Sequence, residues 1–129
     1  MYLLDTNVCI DFLEGRSPVL ARRMEAKFGQ LTVSTISVAE LFVGSRLSEV
    51  PEEDRQKIDI FLTGVEIAPF DLTSARIYGD IIRGIGVKRK SFDRQIGVQA
   101  IQLGLVLVTR NEKHFADVPG LKVENWTLG

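Results

Sequence analysis

The sequence carries one cysteine, one histidine and one tryptophan in 129 residues. Each scarcity excludes something. A lone cysteine, Cys9, cannot close an intramolecular disulfide, so packing alone must hold the fold, as suits a reducing compartment. Cys9 reads as a small buried residue on a helix. As a nucleophile it would need a nearby base, and the single histidine, His114, lies far along the chain. Zinc sites built from sets of Cys and His are excluded on the same counts. No stretch approaches the ~20 apolar residues of a membrane span. The opening MYLLDTN has no basic n-region and no cleavage site, so a cytoplasmic protein without membrane contact is expected. Excess charge is missing too. At a net −1 the molecule as a whole does not attract polyanions, and any nucleic-acid role must rest on local patches.

What is present is ordinary globular material, 45% hydrophobic and 26% charged, enough for one domain spanning 1–129 and too little for two. Short apolar runs at Tyr2 to Leu4, Leu31 to Val33, Val65 to Ala68, Val106 to Val108 and Lys122 to Glu124 read as strands. Helical patterns lie between them, around 7–14, 18–28, 36–48, 52–63, 73–84 and 92–103. Pro18 and Pro51 stand where a first helical turn tolerates proline. Asp71, Thr73 and Ser91 are candidate N-caps, and Gly29, Gly64, Gly86 and Gly104 stand where helices should stop. Strands separated by helices predict an α/β fold: a twisted, mostly parallel sheet of about five strands with helices on both faces.

Ligands of such sheets bind beyond the carboxyl ends of the strands, where strand order reverses. Asp5-Thr6-Asn7 follows the first strand. Ser34, Thr35 and Ser37, leading to Glu40, follow the second, and Thr109-Arg110-Asn111 follows the fourth. Glu40 is the most informative of these. Its helical neighbours at three and four positions are Ile36, Ser37, Val43 and Gly44, none of them basic. It is therefore either exposed or held by something outside its own helix, because a buried carboxylate without a partner costs several kcal/mol. Asp5 poses the same question, its ordinary reading being a helix cap. Asp93 poses it again, as a first-turn aspartate favoured by the helix dipole. Together, three carboxylates with no histidine or cysteine cluster suit a hard cation, Mg²⁺ or Mn²⁺, and phosphodiester hydrolysis assisted by it. Acids at strand ends are common, and spacing alone leaves both readings open.

The opening MYLLDTNVCIDFL, the segments VSTISVAELFVG and FDRQIGVQA, and the closing LVLVTRNEKHFADVPGLKVENW resemble, in order and from end to end, the four signature blocks of PIN-domain ribonucleases of the VapC toxin type. The resemblance implies that Asp5, Glu40 and Asp93 are catalytic acids binding Mg²⁺ or Mn²⁺. Asn111 stands at a fourth catalytic position that is often aspartate, and brings an oxygen donor without charge. Thr6, Asn7 and Thr109 match supporting positions. The resemblance also implies a metal-dependent endoribonuclease cutting a structured RNA, such as a tRNA or rRNA loop. It implies a VapB-type antitoxin partner, a homodimer, and contact with promoter DNA only through the antitoxin.

Lys88-Arg89-Lys90, with Arg94, Arg110 and Lys113, reads either as a phosphate-contacting rim for the RNA or as solvated surface. His114 is expected to be structural or RNA-facing. Two departures stand out: Asn111, which puts a second metal in doubt, and Gly97-Val98, where the family usually has small alanines. Competing readings are an RNA-processing PIN nuclease without an antitoxin and a non-catalytic RNA-binding PIN domain. An aspartate-nucleophile phosphohydrolase is a third, but it wants a second aspartate where Asn7 stands.

Overall fold

The computed structural model describes residues 1–46, 49–86 and 92–128. Its elements follow the chain as β1 (Tyr2–Leu4), α1 (Thr6–Leu13), α2 (Pro18–Ala26), β2 (Leu31–Ser34), α3 (Thr35–Arg46), α4 (Pro51–Thr63), β3 (Glu66–Ala68), α5 (Leu72–Ile85), α6 (Asp93–Leu103), β4 (Val106–Val108) and β5 (Val123–Glu124). A 3-10 turn, Glu112–Phe115, separates the last two strands.

The strands form one sheet in the order β3-β2-β1-β4-β5, every pairing parallel. Parallel neighbours need long crossovers, and the helices supply them. Side chains alternate between the two faces of a strand, and the apolar runs at the centre of this sheet fill a core on each. Leu4, Val33 and Val108 pack with Val8, Cys9, Leu20, Met24, Leu41, Ile58, Phe61 and Trp126 on one face. Leu3 and Leu107 pack with Ile96, Ala100 and Phe115 on the other. Burial on both faces is why these strands read as unbroken apolar runs.

Helix ends follow local chemistry. Pro18 and Pro51 open α2 and α4, and the Ser17 hydroxyl accepts from the Leu20 N–H at 3.1 Å. Of the expected caps, Asp71 accepts from the Ser74 N–H at 2.9 Å. Thr73 is not a cap: it lies inside α5, which starts one residue earlier than the pattern suggests. Ser91 lies outside the described residues. Gly104 ends α6 in the left-handed conformation at φ +66°, which a side chain would strain. Among the described residues no helix is long and apolar enough to cross a membrane.

The chain builds outward from β1 through β2 to β3, then returns to β1's other side for β4 and β5. Strand order therefore reverses between β1 and β4, and the crevice beyond their carboxyl ends is the place this fold offers a ligand.

Candidate active site

Asp5 occupies that crevice. Its N–H donates to the Val108 carbonyl at 2.9 Å, extending the β1–β4 ladder by one residue before the chain turns into α1. It holds the N-cap position of α1, yet its side chain does not cap the helix. Instead the Thr109 hydroxyl, itself buried, donates to Asp5 Oδ2 at 2.8 Å and accepts from the Asn111 N–H at 3.0 Å. One threonine thus ties the ends of the two central strands together and fixes the loop carrying Asn111.

Asp5 is 2% exposed. Burial pushes its carboxyl up from the ordinary 3.8 to about 6; the negative charges of Asp93 and Glu40 push the same way, and the bonds from Thr109 and the Thr6 backbone oppose them. An acid that loses its hydration while facing two like charges favours its protonated form unless a cation joins it.

Glu40 sits on α3, and its partner lies outside that helix. The Thr6 hydroxyl, at the start of α1, donates to Glu40 Oε1 at 2.8 Å. Its single proton being committed there, Thr6 accepts in turn from the buried Ser37 hydroxyl, also 2.8 Å away. Asn7 follows on α1, half-buried. Asp93 opens α6, and its Oδ2 lies 3.2 Å from His114 Nδ1 on the 3-10 turn. The fold therefore brings Asp5, Glu40 and Asp93 from β1, α3 and α6 towards one crevice, with Thr6 and Thr109 bonded to two of them.

The donor set fits a hard divalent cation. Every acid offers oxygen, and the most buried of them is raised in pKa first by burial and then by the charges of Asp93 and Glu40, which a cation would offset. Among the described residues no group of three acid, histidine or cysteine side chains is placed to hold a metal ion by itself. Mg²⁺ keeps several waters and needs only one or two carboxylates besides substrate phosphate. Cys9 plays no chemical part: it is wholly buried, and burial pushes its thiol far up.

Among the described residues, the basic side chains that could form a phosphate-contacting rim differ in exposure. Arg94 is 5% exposed, its guanidinium donating to the Gly86 carbonyl and paired with Asp117. It is unavailable as a surface phosphate contact, which corrects that expectation. Arg110 is partly exposed and lies 3.2 Å from Asp11. Lys113 is exposed on the 3-10 turn. Lys88, Arg89 and Lys90 lie outside the described residues.

Three residues gain a role only in three dimensions. Ser37 stands out in the sequence merely by its place after β2, and its bond to Thr6 crosses elements. Asp117 looks like loop. Asp11 is a nearly buried carboxylate between Arg16, at 3.5 Å, and Arg110. The question that singles out Glu40, which partner an acid has on an apolar helix, applies equally to Asp11 and would find it.

The chain has relatives along nearly its whole length. The PIN domain family model matches residues 2–121. Ribonuclease VapC2 of Haemophilus influenzae is 34% identical, over 97% of both chains. The tRNA(fMet)-specific endonuclease VapC of Shigella flexneri is 28% identical, over 98% of both. Among solved structures, DNA-bound VapBC from Salmonella typhimurium superposes with a TM-score of 0.88 at 28% identity, covering 97% of each chain. A parallel sheet whose switch point gathers carboxylates from β1, α3 and α6, matched along nearly its whole length by these relatives, places the chain in the PIN domain family, among the VapC ribonucleases.

Proposed function

We propose that this protein is the toxin of a VapBC-type pair, an endoribonuclease that cuts structured RNA using Mg²⁺ or Mn²⁺ held by Asp5, Glu40 and Asp93. The observation that carries this reading is the Asp5 carboxyl, buried at the switch point and raised to about 6 with two further acids acting on it. A divalent ion bound there would acidify a water and offset charge building on the phosphate.

The protein's own residues prepare the site. Thr109 holds the Asp5 carboxylate in one orientation, and its bond to the Asn111 N–H sets the loop beside it. Thr6 and Ser37 hold Glu40. Asn111 adds a neutral side-chain oxygen, so the site holds at most three negative charges and favours one ion over two. Relatives bear on the substrate: the Shigella flexneri enzyme is named for tRNA(fMet), which makes tRNA the first RNA to test.

A cavity of about 270 Å³ opens beside Glu40 between α1, α3 and α4, with Ile10, Leu41 and Ile58 as apolar walls and Glu14, Asp54 and Lys57 in its polar lining. It suits an apolar segment of a VapB-type antitoxin lying across the acids, and the Salmonella typhimurium complex supports such a partner. Promoter DNA would be met through that antitoxin. We carry over from the family a homodimer in the cytoplasm.

The test is cleavage of total cellular RNA by the purified protein, read by sequencing new 5′ ends. Discrete cuts with Mg²⁺ or Mn²⁺, abolished by EDTA and by Asp5→Asn, are expected. Full-rate cleavage in excess EDTA would overturn the reading.

A further inference from the structure

The start of α6 is an unusual place for a buried arginine. Phe92, at the N-cap, offers no side-chain bond to the first turn, so it is not the usual capping residue. Asp93 at the next position suits the positive end of the helix dipole, and Arg94 beside it does not. Arg94 is nevertheless 5% exposed. Its guanidinium donates to the carbonyl of Gly86, the residue that ends α5, and pairs with Asp117 just after the 3-10 turn. A cation placed against the dipole and out of water does not serve the helix. It joins three segments at one point: the end of α5, the first turn of α6 and the turn after β4.

Asp93 lies beside this point. It precedes Arg94 in the chain, and its own side chain reaches the same turn, at His114. Two adjacent residues of α6 thus dock on one short segment, His114 meeting Asp93 and Asp117 meeting Arg94. The direction of a first-turn side chain follows the rotation and height at which its helix begins, and helix ends fray when nothing holds them.

We propose that the pair formed by buried Arg94 and part-exposed Asp117 is a positioning device that fixes Asp93 towards Asp5 and Glu40. The inference rests on the reading of Asp93 as a metal ligand. Arg94 and Asp117 touch neither metal nor substrate; they act through Asp93. Removing Asp117 alone takes the counter-charge from buried Arg94, whereas replacing both with uncharged groups of similar size can leave the fold intact.

The experiment is therefore the double variant Arg94→Met/Asp117→Asn, with Asp117→Asn alone as a milder second. Thermal unfolding and Mn²⁺ calorimetry are measured on each, with Asp93→Asn as reference. The folded double variant should bind Mn²⁺ about tenfold more weakly, the size of effect that losing an outer partner of a metal ligand produces, with Asp117→Asn intermediate. Should the double variant fail to fold, the affinity of Asp117→Asn decides the question by the same criterion. A purely structural pair would lower the melting temperature and leave Mn²⁺ affinity alone. Affinity within twofold of the parent in a folded variant overturns the proposal. If Asp93→Asn also binds Mn²⁺ like the parent, the failure lies in Asp93 as a ligand rather than in the pair that positions it.

Discussion

At the scale of single residues, Asp5 ties stability to pH. Its folded carboxyl titrates near 6 against 3.8 when unfolded, so between those values the folded state binds the proton more tightly. Stability contributed by protonated Asp5 is present at low pH and is lost as pH rises through about 6. The loss above that point is about 3 kcal/mol, from roughly two pKa units at 1.36 kcal/mol each. Asp5→Asn removes the charge and keeps an oxygen that can accept from Thr109. It should raise the melting temperature of the metal-free protein at pH 7.5, leave it nearly unchanged at pH 4, and abolish RNA cleavage. Equal melting temperatures for parent and variant at pH 7.5 would mean that Asp5 is not held as a strained carboxylate.

The same residue shows what a sequence can and cannot disclose. Its position after an apolar strand is legible, and so is its candidacy, because strand ends in parallel sheets are where ligands bind. Its ordinary reading as a helix cap can be dismissed only in three dimensions, where the side chain turns to Thr109, 104 positions away. Arg94 is the converse case. In the sequence it belongs to a basic neighbourhood, and only its burial and its acceptors separate it from a surface rim.

Among elements, the regular pieces are readable and the joints are not. Apolar runs buried on both faces mark the central strands, and proline and glycine bound the helices to within a residue or two. The 3-10 turn at Glu112–Phe115 carries no periodicity long enough to detect, yet it supplies His114 and leads to Asp117. Partnerships between elements, such as Ser37 with Thr6, depend on register that no single segment encodes. Thr109 is the sharpest test of such a joint. Thr109→Val keeps shape and volume but removes both the donor to Asp5 and the acceptor for the Asn111 N–H, leaving two polar groups without their partner. A loss of about 1–3 kcal/mol in unfolding free energy is expected, with cleavage reduced and the pH midpoint of the Asp5 transition moved upward, since a bond favouring the charged form is gone. Thr109→Ser, which keeps the hydroxyl, should restore most of both. A valine variant as stable and active as the parent would show that Thr109 merely fills space.

For the whole molecule, the proposed metal site at the switch point would make metal binding and folding one equilibrium. Asp5, Glu40 and Asp93 come from the end of β1, α3 and α6, far apart in the chain, so the unfolded protein presents no comparable site and an ion held by all three would bind the native state alone. At a free Mn²⁺ concentration a hundred times the dissociation constant, the native state gains about 2.7 kcal/mol, which for a domain of this size raises the melting temperature by roughly 10 °C. The gain must depend on pH. A proton on Asp5 competes with the ion, so the Mn²⁺-induced shift should be full at pH 7.5 and shrink as pH falls through about 6, where that carboxyl takes up its proton. Asp5→Asn should start from a higher melting temperature and respond weakly to Mn²⁺ at every pH. Ca²⁺, larger and less demanding of geometry, separates binding from chemistry: a thermal shift without cleavage would show that holding a cation and activating water are distinct tasks here. Thermal scans across pH with and without each ion decide the matter. A melting temperature indifferent to Mn²⁺ at pH 7.5 would mean that the three carboxylates do not hold the ion, whatever cleavage the protein performs.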